Sequence, residues 1–414
     1  MKKHFTFVIL LLTSVISSAQ YSWVAKGTFS GAARVSADGF SLNGTGYLVG
    51  GFTQYSSTWV NEVWAYNEST DSWTQKNSFP VTTASGACLV FGNAAYIIGG
   101  YVGNGHVTNT NYLYNPATDS WGAKASFPES GLGSPFEFVI NGIGYIGTGL
   151  RNSANNSSTV YSYSPTSDTW NQVASYPESQ ANTVGFAIDS LGYAGLGGDG
   201  SNNLSTGFYK YSPAANTWSS IASFPGPPRS GAFSFVIDGK AYVGGGWTII
   251  TGNPSIHYDL SDFYCYDPST NSWTVVPGLP GRSRDNSSVF TINNNAYTIG
   301  GYDYYVSGVV GTVSEFGSCA TISGILPIVG GNNKAGLEIY PNPSTNEVNV
   351  KILGAVTTDI KYEIVSIDGK RIRTGTSKQS NFGFSANNLA DGVYILTVTD
   401  SNGTQGAERF EVMH

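Results

Sequence analysis

A tyrosine followed four residues later by a glycine recurs six times in this chain, as Tyr47/Gly51, Tyr96/Gly100, Tyr145/Gly149, Tyr193/Gly197, Tyr242/Gly246 and Tyr297/Gly301. Successive copies lie 49, 49, 48, 49 and 55 residues apart, and a tryptophan series keeps step with them: Trp23, Trp73, Trp121, Trp170, Trp218 and Trp273. A fixed period near 50 residues means that each copy is one supersecondary unit burying its apolar face against its neighbours. Between the markers lie aromatic strands such as Val63-Trp64-Ala65-Tyr66 and Tyr112-Leu113-Tyr114. Two residues before the later five tryptophans stands Asp71, Asp119, Asp168, Asn216 or Asn271. Short side chains of this kind bond their own backbone and tolerate a left-handed turn, so these residues read as hairpin chemistry and not as catalysts.

Composition agrees with strands. Fifty-two glycines and 14% aromatic residues suit β-strands joined by tight turns better than helices. With only 11% charged residues, and 40% apolar ones, the chain is not a solvated disordered polymer. Twenty basic side chains against 27 acidic ones offer no basic face for a polyanion, which excludes nucleic acid as a partner.

Within each copy, the strand before the tyrosine reads with period two. Phe40/Leu42, Leu89/Phe91, Phe138/Ile140, Phe186/Ile188, Phe235/Ile237 and Phe290/Ile292 occupy equivalent places and are expected to fill the core between units. The intervening column holds Gly39, Cys88, Glu137, Gly185, Ser234 and Val289. Glu137 is the exception in it. An unpaired carboxylate there is costly, so Glu137 is expected to pair with an arginine or to act as an acid/base group, the pair being preferred.

The pattern resembles the kelch repeat, in which a hydrophobic strand ends in paired glycines and is followed by spaced Tyr and Trp. The resemblance covers residues 21–316; Thr148 and Leu196 replace the first glycine of the pair. It implies an all-β fold, a six-bladed β-propeller with one four-stranded blade per copy. After Gly301 the sixth copy runs only to Phe316 and lacks a tryptophan strand, whereas Tyr21-Ser22-Trp23 is a tryptophan strand without the rest of a copy. The N-terminal strand is therefore expected to complete the last blade.

In a meander, the loops from strand two to three and from strand four to the next strand one emerge on one face, and long loops carry function more often than tight turns. The long loops, near 52–62, 101–111, 150–159, 199–207, 247–262 and 302–312, hold Phe52, Tyr55, Trp59, Tyr101, His106, Arg151, Trp247, His257, Tyr258, Tyr302, Tyr304 and Tyr305. Exposed aromatics with a few polar partners stack on sugar faces or anchor a protein, so Trp59, Tyr101, His106, Arg151, Trp247, His257, Tyr258 and Tyr304 are candidate ligand contacts. The connections from strand four to strand one add Arg34, Arg229, Arg282 and Arg284, with Glu129 and Glu178. Arg229 and Arg284 are candidates too, though an arginine after the proline is common in kelch repeats and tying blades together is the preferred reading of both.

Catalysis is the weaker expectation. Copper radical oxidases of this architecture need two His, a Tyr ligand and a Cys-linked Tyr, and within the propeller only His106 and His257 are available, about three blades apart. A propeller mutarotase of the sialic-acid type needs a carboxylate and an arginine converging on the channel, for which Glu137 with Arg229 or Arg284 is the sole candidate. No catalytic triad, phosphate loop, zinc spacing or cofactor motif is present. The reading is a binding protein for a glycan or protein ligand, with no cofactor or metal.

The chain opens with Met1-Lys2-Lys3-His4, an apolar run from Phe5 to Leu12 and the small residues Ser17-Ser18-Ala19, the form of a secretory signal peptide over 1–19. No later run approaches the roughly 20 apolar residues of a transmembrane helix. Three scattered cysteines, Cys88, Cys265 and Cys319, give no disulfide framework. The propeller is expected over 20–316 and a linker over 317–336. A small Ig-like β-sandwich follows over 337–414, with Tyr340-Pro341-Asn342-Pro343, alternating Val348/Val350/Ile352, a hairpin at Asp368-Gly369-Lys370 and Leu389-Ala390-Asp391-Gly392-Val393-Tyr394-Ile395-Leu396-Thr397-Val398. This tail is similar to the type A C-terminal sorting domain of the type IX (Por) secretion system of Bacteroidetes. That resemblance implies passage across the outer membrane, contact with the secretion machinery, and removal of the tail by a sortase-like peptidase, with release or attachment to surface lipopolysaccharide.

Overall fold

The computed structural model describes residues 21–318 and 336–412 apart from 54–57, 104–105, 153–154, 202, 251–252, 281–282, 305–307, 341–343, 345, 354–358, 367–370, 391 and 402–404. The expected signal peptide, most of the linker, the 368–370 hairpin, Tyr55, Arg282, Tyr305 and Cys319 lie outside these residues, as does the side chain of His257. The chain divides into two compact units, Met1–Cys319 and Ala320–His414, and no α-helix occurs among the described residues.

Six four-stranded antiparallel sheets build the first unit. In the first sheet the strands Asp38–Leu42, Thr45–Val49, Val63–Asn67 and Ser72–Lys76 follow in chain order. The period-two strand puts Phe40 and Leu42 in the core, and its counterparts Phe138, Phe186, Phe235 and Phe290 are buried likewise. In the last sheet, Ser288–Ile292, Asn295–Ile299 and Val313–Ser318 are joined by the N-terminal strand Tyr21–Ala25, with Trp23 opposite Phe316. The two rings sit 4.9 Å apart and both are buried. A buried Trp covers roughly 150–250 Å², worth several kcal/mol gross at about 25 cal/mol per Å².

Each sheet remains open, its innermost strand exposing one edge. The first strand of every sheet packs against that of the next, and the first strand of the sixth sheet packs against Asp38–Leu42. Outer clasps repeat the same contacts. The hydroxyls of Tyr66, Tyr114 and Tyr163 donate to Asp71, Asp119 and Asp168, and the same carboxylates accept the backbone N–H of Gly27, Asn77 and Ala125 from the preceding sheet. Asn216 and Asn271 do this in two further sheets. All five hold φ between 46° and 53°, the left-handed conformation that their short polar side chains tolerate. The indole N–H groups of Trp121, Trp170, Trp218, Trp273 and Trp23 donate to backbone carbonyls of the preceding sheet, adding a second tie.

Thr148 and Leu196 adopt φ of 60° and 62°, matching Gly50, Gly99, Gly245 and Gly300 at 61–71°. The fold dictates this backbone whatever the residue, and such strain costs on the order of 1–3 kcal/mol per site. Burial offsets part of it, since both side chains are 0% exposed and the Thr148 hydroxyl bonds that of Thr183 at 2.7 Å.

In the second unit a three-stranded sheet (Gly336–Tyr340, Glu347–Leu353, Asn381–Ser385) and a four-stranded sheet (Ile360–Ser366, Arg371–Ser377, Gly392–Thr399, Gln405–Val412) enclose Val348, Val350, Ile364, Leu396, Phe410 and Val412.

Candidate functional site

The first strands surround an axial cavity of about 210 Å³. Its mouth is a belt of backbone hydrogen bonds running from sheet to sheet: Ser85 N–H to Ser36, Ser134 to Ser85, Asn182 to Ser134, Asn286 to Gly231 and Ser36 to Asn286, at 2.8–2.9 Å. Every residue of the belt is left-handed, with φ between 46° and 64°. These residues precede strand one, so the belt opens on the loop-bearing face.

Below the belt the column Gly39, Cys88, Glu137, Gly185, Ser234 and Val289 lines the channel. Gly39 and Gly185 leave no room for a side chain: a Cβ would sit 2.4 Å from the Val289 oxygen and 2.7 Å from the Glu137 oxygen. The acidic groups of the lining come only from the first and third sheets, where Asp38 and Glu137 flank Cys88 of the second. Asp38 is 7% exposed, and its Oδ2 has no hydrogen-bond partner. Burial pushes the Asp38 carboxyl up to about 7, against a Gly86 N–H that favours the charged form. Burial and the neighbouring Asp38 charge push Glu137 up to about 8, opposed by a hydrogen bond from the Cys88 N–H. Burial also raises the Cys88 thiol well above its ordinary range, with help from both carboxylates, which disfavours the thiolate.

The expected Glu137–arginine pair does not form, because the arginines are committed elsewhere. Arg229 is 0% exposed; it bonds Asp262 through both terminal nitrogens at 2.7 and 2.9 Å, bonds the Gly245 oxygen and lies 4.7 Å over the Phe224 ring. Arg34 repeats this with Gly50, Glu62 and Phe29, and Arg151 does the same with Thr148, Glu129 and Phe127. Arg284 bonds the Gly300 oxygen and, in place of an acid, the Thr312 hydroxyl. Arg151, Arg229 and Arg284 are therefore internal struts. Burial withdraws all three from the surface where ligand contact, one role considered for them from sequence, would take place, and the carboxylate–arginine site of a mutarotase is not assembled.

The aromatic candidates divide. Phe52 and Trp59 face each other across a short ribbon at 5.0 Å, and Trp59 stacks on Tyr101 of the next sheet at 5.9 Å with 21° between planes. Tyr101 reaches inward to Ser134 of the belt, and burial raises its phenol. His106, in the ribbon paired with Tyr101–Val102, is exposed. Trp247, Tyr258 and Tyr302 are half-buried, and Tyr304 is exposed. Sequence reasoning does not find a buried acidic pair in this region: Asp259 and Asp285 adjoin each other, and burial with the adjacent Asp259 raises the Asp285 carboxyl.

Asp38 escapes the sequence reading as well, though a signal exists. It stands in the column Asp38, Ala87, Phe136, Val184, Phe233 and Ser288, otherwise free of charge.

Sheets arranged about an axial cavity, with short turns on one side and ribbons on the other, define a β-propeller. Residues 85–301, just over half of the chain, match the KLHDC2/KLHL20/DRC7 Kelch-repeats domain. The chain belongs to the kelch-repeat family. Residues 338–410 match the Secretion system C-terminal sorting domain, so the second unit marks the protein for export to a secreted or cell-surface location through contact with the type IX machinery. Among solved structures, one titled "Structure of YjhT" is similar in fold: TM-score 0.60, 17% identity, covering 69% of this chain and 95% of that one. No curated protein matches the chain. Among the described residues no helix is long and apolar enough to cross a membrane.

Proposed function

We propose that the exported propeller binds a glycan through its loop-bearing face, with the Phe52–Trp59–Tyr101 shelf as the principal contact. The observation that carries this reading is the stacking of Trp59 on Tyr101 across two sheets beside the exposed His106. Aromatic faces held by packing present a flat apolar surface at little entropic cost, and an adjacent polar group fixes orientation. Trp247 and Tyr258 of the fifth copy and Tyr304 of the sixth extend the surface around the mouth. A protein ligand would use the same anchors, and the experiment separates the two. Residues 21–318 are screened against a glycan panel, and hits are followed by calorimetry. Trp59→Ala is expected to weaken binding at least tenfold with melting unchanged. No glycan binding, or glycan binding indifferent to Trp59 and Tyr101, counts against the shelf.

The tail acts in delivery and not in binding. Its removal by a sortase-like peptidase after passage leaves a surface or medium form lacking residues 338–410, which intact-mass measurement of the exported protein checks. A mature form that retains them opposes cleavage.

A further inference from the structure

The axial channel holds two acidic side chains that the loop face does not use. Asp38 comes from the first sheet and Glu137 from the third, and both lean over the inner edge of the second. Asp38 meets the Gly86 N–H and Glu137 the Cys88 N–H. Amide groups two residues apart on a strand edge are separated by roughly 7 Å at about 3.3 Å per residue. The two carboxyl groups thus approach one short stretch of the same strand edge, near enough for the Asp38 charge to act on Glu137. No lysine, arginine or histidine is among the residues lining the cavity, and the Oδ2 of Asp38, a residue only 7% exposed, has no partner. A carboxylate as buried as Asp38, with a second acid beside it and no cation, is costly.

We propose that the channel is a binding site for one hard divalent cation of the calcium or magnesium class, held between Asp38 and Glu137. Apart from the protonated Cys88 thiol between them, the donors are oxygens: two carboxylates, the Ser234 hydroxyl on the facing wall, and backbone carbonyls of the inner strand edges. Hard cations take such donors and complete their shell with water. The site uses two acidic side chains, not three. Among the described residues, no group of three or more His, Cys, Asp or Glu converges to hold a metal. Gly39 and Gly185 carry no side chain, which lets the inner strands pack closely around the channel. A cation there would tie the first and third sheets together across the second. This site is separate from the aromatic shelf and does not depend on what the shelf binds.

The test uses the full chain stripped with chelator. Equilibrium dialysis against calcium and against magnesium is expected to give one ion per chain, and calorimetric melting is expected to rise by several degrees with the bound ion. Asp38→Asn and Glu137→Gln should each weaken binding at least tenfold and abolish the melting shift. Lys240→Ala, on the outer surface, serves as the control and should respond like the native chain. Dialysis of the native chain needs no variant and so stands even if a variant misfolds. Absence of a stoichiometric ion overturns the proposal, as does an ion retained by both Asp38→Asn and Glu137→Gln. A melting shift with methylammonium but with neither divalent ion also overturns it, since that would make the channel an ammonium site.

Discussion

The rim of the propeller and its axis obey opposite rules. At the rim, one set of contacts is stamped out copy after copy: a Tyr hydroxyl on an Asp or Asn, that side chain on a backbone N–H of the preceding sheet, and an indole N–H on a carbonyl of the same sheet. Along the axis the equivalent positions carry Gly39, Cys88, Glu137, Gly185, Ser234 and Val289, six places with five residue types. Repetition marks what every blade needs in order to stack; departure from it marks what one blade does alone. Asp38 and Glu137 are conspicuous because their counterparts in other copies carry no charge.

The largest expected effect breaks the rim. Removing residues 21–30 deletes the strand paired with Val313–Ser318 and takes Trp23 out from between Phe235, Phe263 and Phe316. Losing several kcal/mol from a unit of this size lowers melting by on the order of 10 °C. Protease resistance of residues 31–318 should fall with it. Melting and resistance like those of the intact chain would mean that the sixth sheet does not need its N-terminal strand.

A smaller effect separates buried struts from surface pairs. Arg229→Ala empties a fully buried socket and leaves Asp262 and the Gly245 carbonyl without their donor, a loss of about 3 kcal/mol. Lys240→Ala removes an ion pair to Asp267 whose lysine is half exposed, and under about 1 kcal/mol is expected. Equal losses in denaturant unfolding would show that the arginine sockets are not structural.

Sequence makes the rim legible because its period is long, regular and written in large aromatic residues that have few alternatives at a strand-to-strand tie. The tryptophan strand at Trp23, orphaned at one end of the chain, points to its partner near Phe316 for the same reason. The axis is legible in part. Glu137 stands out in its column, but its neighbour is hidden, since the residue facing it comes from a strand about 100 positions earlier and sits one place off the same register. The arginines are legible in part: Arg229 makes the internal tie preferred for it, turning inward to the carbonyl 16 residues on, whereas its expected pairing with Glu137 fails because proximity to loops says nothing about direction. Nor does the loop pattern reveal that Asp259 and Asp285 come together, because they belong to separate segments of the last two copies.

The smallest effect is a difference in pH dependence between rim and axis, and its sign follows from proton counting. Burial works to raise Asp71 and Asp168, but hydrogen bonds from Tyr66 or Tyr163 and from a backbone N–H prevail and hold both below the ordinary carboxyl range. Their contribution is complete above the unfolded value near 4 and is lost as pH falls through the lower folded value. Asp38 and Glu137, raised to about 7 and about 8, keep protons in the folded chain that the unfolded chain has already released. Between about 4 and 8 their stabilising contribution therefore declines as pH rises. In chelator, the native chain should lose melting temperature across that window relative to the Asp38→Asn/Glu137→Gln double variant, while both fall together below about pH 4. If the two melting curves run parallel from about pH 4 to 8, the acids at the axis are solvated in the way rim acids are, and the contrast between the two regions disappears.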